Sequence, residues 1–323
     1  MTSILPTSVR PTDLIPATQP TIYFIGVTTG SSSIQRVFPR WAEELGLADA
    51  RLQGIDLPLH APADDYRRVV DFIAADPLSR GALVTTHKLD LYDAARDRFD
   101  EIDPFALMMS ETSCISKRDG RLRCHAKDPI SSGLALDAFL SPSHWADRGR
   151  EALLMGAGGS TIAISWFLSR RDADSRPESI LITNRSPARL EHIRQIHATL
   201  DTDVRFEYLL TPAAEDNDRV VAGLSDGALV VNATGLGKDA PGSPVTDAVR
   251  FPRSGVAWDL NYRGDLVFLD QARAQAPQSG LQVEDGWVYF LHGWTQVVAE
   301  VFDVTIPTSG PEFDRLGALA AAP

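Results

Sequence analysis

Ala152-Leu153-Leu154-Met155-Gly156-Ala157-Gly158-Gly159-Ser160-Thr161-Ile162-Ala163 holds the turn on which the fold is decided. Ala152–Met155 has the pattern of a short buried strand, and a helical pattern runs on through Leu168. Glycines between them let the backbone approach a pyrophosphate, and the helix N-terminus offers N–H groups and a positive dipole end. Gly156, Gly158, Gly159 and Ser160 are therefore the expected phosphate cradle. The spacing is G-x-G-G-x-x-x-A rather than the strict G-x-G-x-x-G, but the strand before it and the helix after it supply the context the motif requires. The plainer alternative is a tight strand-to-helix turn with no ligand.

Reading downstream, Ser179–Thr183, Val204–Leu209, Ala228–Asn232 and Val256–Leu260 are further strands, with helical patterns between several of them. The alternation predicts a doubly wound parallel sheet. An acidic residue at the end of the second strand would favour NAD. Asn184-Arg185-Ser186 stands there instead, with Arg189 following. Arginine pairs with a ribose 2′-phosphate and stacks on adenine, so NADP is the expected cofactor.

Reading upstream, strands at Thr21–Val27, Arg51–Leu57 and Gly81–Thr86 alternate with helices at Ile34–Leu45, Ala63–Ala75 and a stretch opened by Lys88. Ser113–Ser116 and Leu122–His125 flank Lys117-Arg118-Asp119-Gly120, a hairpin signal. Helices are expected over Pro129–Phe139 and Trp287–Phe302. Residues 1–20 carry Pro6, Pro11, Pro16 and Pro20 and read as a poorly ordered lead-in or an arm docked on a partner.

A chain of 323 residues with 44% hydrophobic and 23% charged residues is globular and long enough for two domains. Its net charge of -12 disfavours nucleic acid and anionic membranes as partners. Cys114 and Cys124 have no metal-ligand spacing around them, no His pairing suggests a metal, and a reduced, cytoplasmic protein is the expectation. A homodimer is left open.

With these motifs in place, the chain resembles the shikimate dehydrogenase family from Thr21 to Phe302. The glycine turn and Asn184-Arg185-Ser186-Pro187-Ala188-Arg189 are similar to its NADP-specific form, and Asn232-Ala233-Thr234-Gly235-Leu236-Gly237 to its loop beside the nicotinamide. Asp259-Leu260-Asn261-Tyr262 is similar to its Asp-x-x-Tyr segment. The resemblance implies that Asn184, Arg185, Ser186, Arg189, Asn232, Thr234, Gly235 and Tyr262 bind cofactor. It implies that Lys88 is the general acid/base and that Asp128 binds the same substrate hydroxyl and orients Lys88. It also implies substrate contacts at Ser31, Ser33, Thr85, Thr112 and either His292 or Gln296.

The departures lie on the substrate side. Ile34, Val37 and Phe38 stand where the family has Pro and His-Asn, Thr112-Ser113 replaces Asn-Thr, and Ala126 replaces an Asn. Thr86, His87, Glu111 and Lys127 are further candidates for rewritten contacts. The fold expected is α/β with two domains: a substrate domain at 21–130 and a Rossmann-type doubly wound domain at 131–286, with 287–323 packing back on the first. Substrate is expected in a closing cleft between them. The function implied is NADP-dependent interconversion of a ring hydroxyl and a ketone in a shikimate-like cyclic hydroxy acid or cyclitol. The alternatives are an authentic shikimate dehydrogenase of the shikimate pathway and a non-catalytic NADP-binding sensor.

Overall fold

The computed structural model describes residues 7–147, 150–238 and 240–322. They divide into two compact units, one drawn from 1–127 and 293–323 and the other from 128–292. Boundaries were expected near 130 and 286. The first division falls between Lys127 and Asp128, and the second inside a helix, between His292 and Gly293.

The first unit runs β1 (Ser8–Val9), β2 (Thr21–Gly26), α1 (Ile34–Glu44), β3 (Arg51–Asp56), α2 (Ala63–Ala75), β4 (Ser79–Val84), α3 (Lys88–Ala95), β5 (Glu101–Ile102), α4 (Pro104–Met109), β6 (Cys114–Arg118) and β7 (Arg121–His125). The second runs α5 (Asp128–Phe139), α6 (His144–Asp147), β8 (Glu151–Met155), α7 (Gly159–Arg170), β9 (Ser179–Asn184), α8 (Pro187–His197), β10 (Arg205–Leu210), α9 (Ala214–Ala222), β11 (Leu229–Asn232), β12 (Val256–Asp259), α10 (Val267–Ser279) and β13 (Gln282–Glu284). Helix α11 (Trp287–Phe302) carries the second division, and α12 (Pro311–Ala321) completes the first unit.

The first unit is built on a mixed sheet of order β1-β3-β2-β4-β6-β7-β5. Every residue of β2 is buried, because helices cover both of its faces. Tyr23 and Ile25 face one core with Val69, Val70 and Ile73 of α2. Phe24 faces the other way, its ring edge-on to Trp294 at 5.0 Å. Helix α1 buries Ile34, Val37, Phe38, Trp41 and Ala42, a single apolar stripe at helical spacing. Each fully buried Ile or Val here contributes about 1.5–3 kcal/mol relative to exposure. The Trp41 indole N–H donates to Leu316 O at 2.8 Å and fastens α12 to α1. The β6–β7 hairpin turns at Asp119 and Gly120, both at positive φ (53° and 74°), as a type I′ turn requires.

The second unit is a six-stranded, all-parallel sheet of order β10-β9-β8-β11-β12-β13. Numbered within the unit, that order is 3-2-1-4-5-6, a Rossmann-type doubly wound sheet. The strand order reverses between β8 and β11, which pair Met155 with Asn232 at their C-terminal ends. Ligands of such sheets bind outside these ends.

The lead-in reading needs correction over the residues that can be described; residues 1–6 lie outside them. Ser8 and Val9 pair with Gly54 and Ile55 as an added edge strand. Further on, the buried Asp76 carboxylate accepts from Ala17 N (3.0 Å), Leu78 N (3.0 Å) and the Tyr23 hydroxyl (2.9 Å). Burial and this carboxylate push the Tyr23 phenol well up from its ordinary value. Proline spacing alone does not show such long-range tethers. An Asp76→Ala variant strands three donors, and we expect it to lose about 3 kcal/mol in urea denaturation. A loss below about 1 kcal/mol would show that the tether carries little.

Candidate active site

Met155 ends β8, and Gly156 follows at φ 112°, a backbone conformation that suits glycine. A Cβ there would stand 2.7 Å from Ala233 O in the turn after β11, so the fold itself demands this glycine. Gly158 is different. It caps α7 at an ordinary φ of -102°, without a side-chain cap, and a Cβ there would meet no described atom within 4 Å. Gly159 and Ser160 are the first residues of α7. The N-terminus of α7 thus opens on bare backbone beside the switch point.

At the end of β9, Asn184 Oδ1 accepts from Ser186 N at 2.8 Å, and Ser186 Oγ accepts from Arg189 N at 3.4 Å as the N-cap of α8. These two side chains shape the turn. They leave Arg185 exposed and Arg189 half-buried, and neither enters an ion pair among the described residues.

Asn232, fully buried, holds the third loop. Its Oδ1 accepts from Thr234 N (3.1 Å) and Thr234 Oγ1 (2.7 Å), and its Nδ2 donates to Asp259 Oδ1 (3.1 Å). Asp259 Oδ1 also accepts from Asn261 N at 2.9 Å, and Asn261 Nδ2 donates to Leu236 O at 3.0 Å. The network ties the ends of β11 and β12 together and places Gly235, at φ 75°, in the loop they frame. Burial pushes the Asp259 carboxyl up to about 6, against hydrogen bonds that lower it. Its Oδ2 has no partner among the described residues. Tyr262 packs against Phe290 and Trp287, ring centroids 4.7 and 5.5 Å away.

Asp128 opens α5 and is buried. The Tyr289 hydroxyl donates to its Oδ2 at 3.2 Å and lies 3.3 Å from Ser160 Oγ. Tyr289 thereby connects Asp128 to the first turn of α7, a role that no local sequence pattern marks.

Lys88, in the first unit, opens α3 and is half-buried, its N–H donating to Thr85 O at 3.1 Å and its C=O accepting from Thr112 N at 3.0 Å. Its neighbour His87 is a structural residue. The imidazole Nε2–H donates to Leu57 O (3.1 Å), so Nδ1 is the acceptor for the Tyr66 hydroxyl (2.9 Å), and burial holds its pKa down.

Several expected substrate contacts are engaged inside the protein. Thr112 is fully buried with Oγ1 3.1 Å from Cys124 Sγ. Lys127 Nζ pairs with Glu300 Oε2 at 2.8 Å. Ser31 Oγ is exposed and donates to Thr28 O at 3.0 Å, whereas Ser33 stands half-buried at the N-cap of α1 without a capping bond. Ile34, Val37 and Phe38 are core residues, which accounts for the loss of polar side chains there. Thr85 and Gln296 are half-buried. His292 is buried, and burial pushes its pKa down to about 4. Gly293 faces open space at its Cβ position among the described residues.

The architecture is that of a two-unit α/β chain with a Rossmann-type second unit. The chain belongs to the shikimate dehydrogenase family. It is 31% identical over 266 residues to the shikimate dehydrogenase (NADP(+)) of Acidovorax ebreus, covering 81% of this chain and 84% of that one. The corresponding protein of Symbiobacterium thermophilum is 29% identical over 203 residues, 62% of this chain and 64% of the relative. The chain thus spans less than two thirds of this relative's length in the match. No protein-family model matches. The crystal structure of shikimate dehydrogenase from Aquifex aeolicus superposes with a TM-score of 0.69 at 18% identity, over 94% of this chain and 99% of that one. Ligand-free 5-ketofructose reductase of Gluconobacter superposes with a TM-score of 0.63 at 18% identity, over 94% and 98%. Both share the fold.

The raised Asp259 pKa gives a signed prediction. Its folded value lies above its unfolded value of about 3.9, so the charged form opposes folding above about pH 6, and this cost vanishes below about pH 4. Asp259→Asn keeps the acceptor on Oδ1 and removes the charge. We expect it to match the parent in stability near about pH 4 and to exceed it by about 2–3 kcal/mol near about pH 8. Chemical denaturation at the two pH values checks this.

Proposed function

We propose that this chain is an NADP-dependent oxidoreductase that interconverts a ring hydroxyl and a ketone in a shikimate-like cyclic hydroxy acid. The observation that carries the reading is the contrast within the glycine turn. Gly156 is required by the protein's own packing, whereas Gly158 borders open space that a pyrophosphate can use. Backbone N–H groups of Gly158, Gly159 and Ser160 would hold that pyrophosphate at the α7 N-terminus. Arg185, exposed, and Arg189, half-buried, neither in an ion pair among the described residues, would take a 2′-phosphate. The names of the relatives, shikimate dehydrogenase (NADP(+)), support the same assignment.

When bound, NADP supplies the hydride donor or acceptor. The residues of this chain manage the proton and the orientation. A hydroxyl that becomes a carbonyl must lose its proton, and Lys88 takes it in the amine form; in the reverse direction its ammonium returns the proton to the ketone oxygen. Asp128 accepts from the same hydroxyl, and Tyr289 fixes that carboxylate. Thr112, His87 and Lys127 all have protein partners, which supports a substrate with fewer ring contacts than shikimate demands. The free, buried thiols of Cys114 and Cys124 fit a reducing cytoplasm.

The test is a panel of cyclic hydroxy acids, including shikimate, quinate and deoxygenated or aminated analogues, followed by NADPH absorbance. At least one should turn over, and Lys88→Ala should lower kcat by about 10²-fold or more while leaving NADPH binding intact. Tight NADPH binding with no turnover of any member would favour a sensor.

Two variants probe the cofactor side. Gly158→Ala should fold with a loss of only about 1 kcal/mol, as a poorer N-cap, yet bind NADPH about tenfold or more weakly, because its methyl enters only the open space. Arg185→Asp should move preference from NADP toward NAD. Parent-like NADP affinity in both would remove the assignment.

A further inference from the structure

Ser113 immediately precedes β6, among the residues expected to face substrate, but its bonds run elsewhere. It is buried. Its C=O accepts from Val84 N at 2.9 Å, at the end of β4, and its N–H donates to His125 O at 3.0 Å, at the end of β7. Its hydroxyl accepts from Lys127 N at 2.7 Å and reaches His125 O at 3.5 Å. The preceding residue, Thr112, gives its N–H to Lys88 O at 3.0 Å. Two adjacent residues therefore bond the backbone of Lys88 on one side and, on the other, the backbone immediately before Asp128.

Lys127 is held a second time through its side chain. Glu300 Oε2 takes its ammonium at 2.8 Å, while His125 Nε2 lies 3.4 Å from Glu300 Oε1. Burial raises the Glu300 carboxyl, but the Lys127 hydrogen bond and the charges of His125, Lys127 and Arg118 bring it below its usual range. Lys127 is thus anchored at both its amide and its ammonium, which is more than a linker needs.

We infer that Ser113 is a positioning residue: its hydroxyl, by fixing the Lys127 amide, holds the backbone from which Asp128 follows. Only this hydroxyl among the Ser113 groups is removable by mutation without breaking the sheet. A misplacement of about 1 Å at a catalytic group costs about 10² in rate, so the effect falls on kcat and not on binding. The inference rests on the roles proposed above for Lys88 and Asp128.

The test compares Ser113→Ala and Ser113→Thr in the full chain. For Ser113→Ala we expect kcat lower by about 10- to 100-fold, with KM for the ring substrate and NADPH affinity within about twofold of the parent. The Lys127 and Asp128 amides should exchange hydrogen about tenfold faster or more, since the Lys127 N–H has lost its acceptor. Ser113→Thr keeps the acceptor and should restore both readouts. A raised KM with parent-like kcat would make Ser113 a substrate contact and overturn the inference. Unchanged exchange at Lys127 would also overturn it, and that readout stands even if Ser113→Thr does not fold. If the parent turns over no member of the panel, the functional reading fails, and the exchange measurement alone decides whether the brace exists.

Discussion

A single close approach organises the second unit: the carbonyl of Ala233, leaving β11, comes within 2.7 Å of where a Cβ on Gly156 would stand. This contact is feasible only with glycine at φ 112°. It brings the turn after β8 against the turn after β11, where the strand order reverses. The proposed pyrophosphate site follows from that juxtaposition. The α7 N-terminus is exposed on one side of it. On the other, the Asn232–Asp259–Asn261 network holds the β11 loop in a defined shape. The network carries a cost, since it keeps a carboxylate buried with its pKa pushed up to about 6.

Much of this was legible in the sequence because the signals are local. Buried strands read as apolar runs, and the glycines mark the turn between Met155 and Ser160. Asp119-Gly120 marks a hairpin by its need for positive φ. The 3.6-residue stripe located α1, α2 and α11 closely. Elements with weak stripes escaped: α9 buries only Asn217 and Val221, and α10 buries Phe268, Leu269 and Ala272 around an internal Pro277. Strand β1 is two residues long and exists only because β3 offers an edge.

The site was legible where backbone conformation carries it and illegible where side-chain partners decide. Asn184, Ser186, Asn232 and Thr234 were expected at the cofactor. The structure shows that their side chains shape the loops that would meet it, by bonds spanning a few residues. Thr112 and Lys127 lie at the expected sequence positions but face Cys124 and Glu300. The Lys127–Glu300 pair joins residues far apart in sequence, and no local pattern points to it. The same holds for Tyr289, which reaches Asp128 and Ser160. The family resemblance gave Thr112 as a substrate-side candidate, and Lys127 was a candidate for a rewritten contact; both bond other residues of the protein.

The cofactor assignment requires the second unit to take a phosphorylated dinucleotide. Titrating the unmodified full chain with NADP and, separately, with NAD by calorimetry tests this most directly. NADP should bind at least about tenfold more tightly, a difference of about 1.4 kcal/mol, with the preference shrinking as salt screens Arg185 and Arg189. Equal affinities, tighter NAD binding, or no binding of either would contradict it.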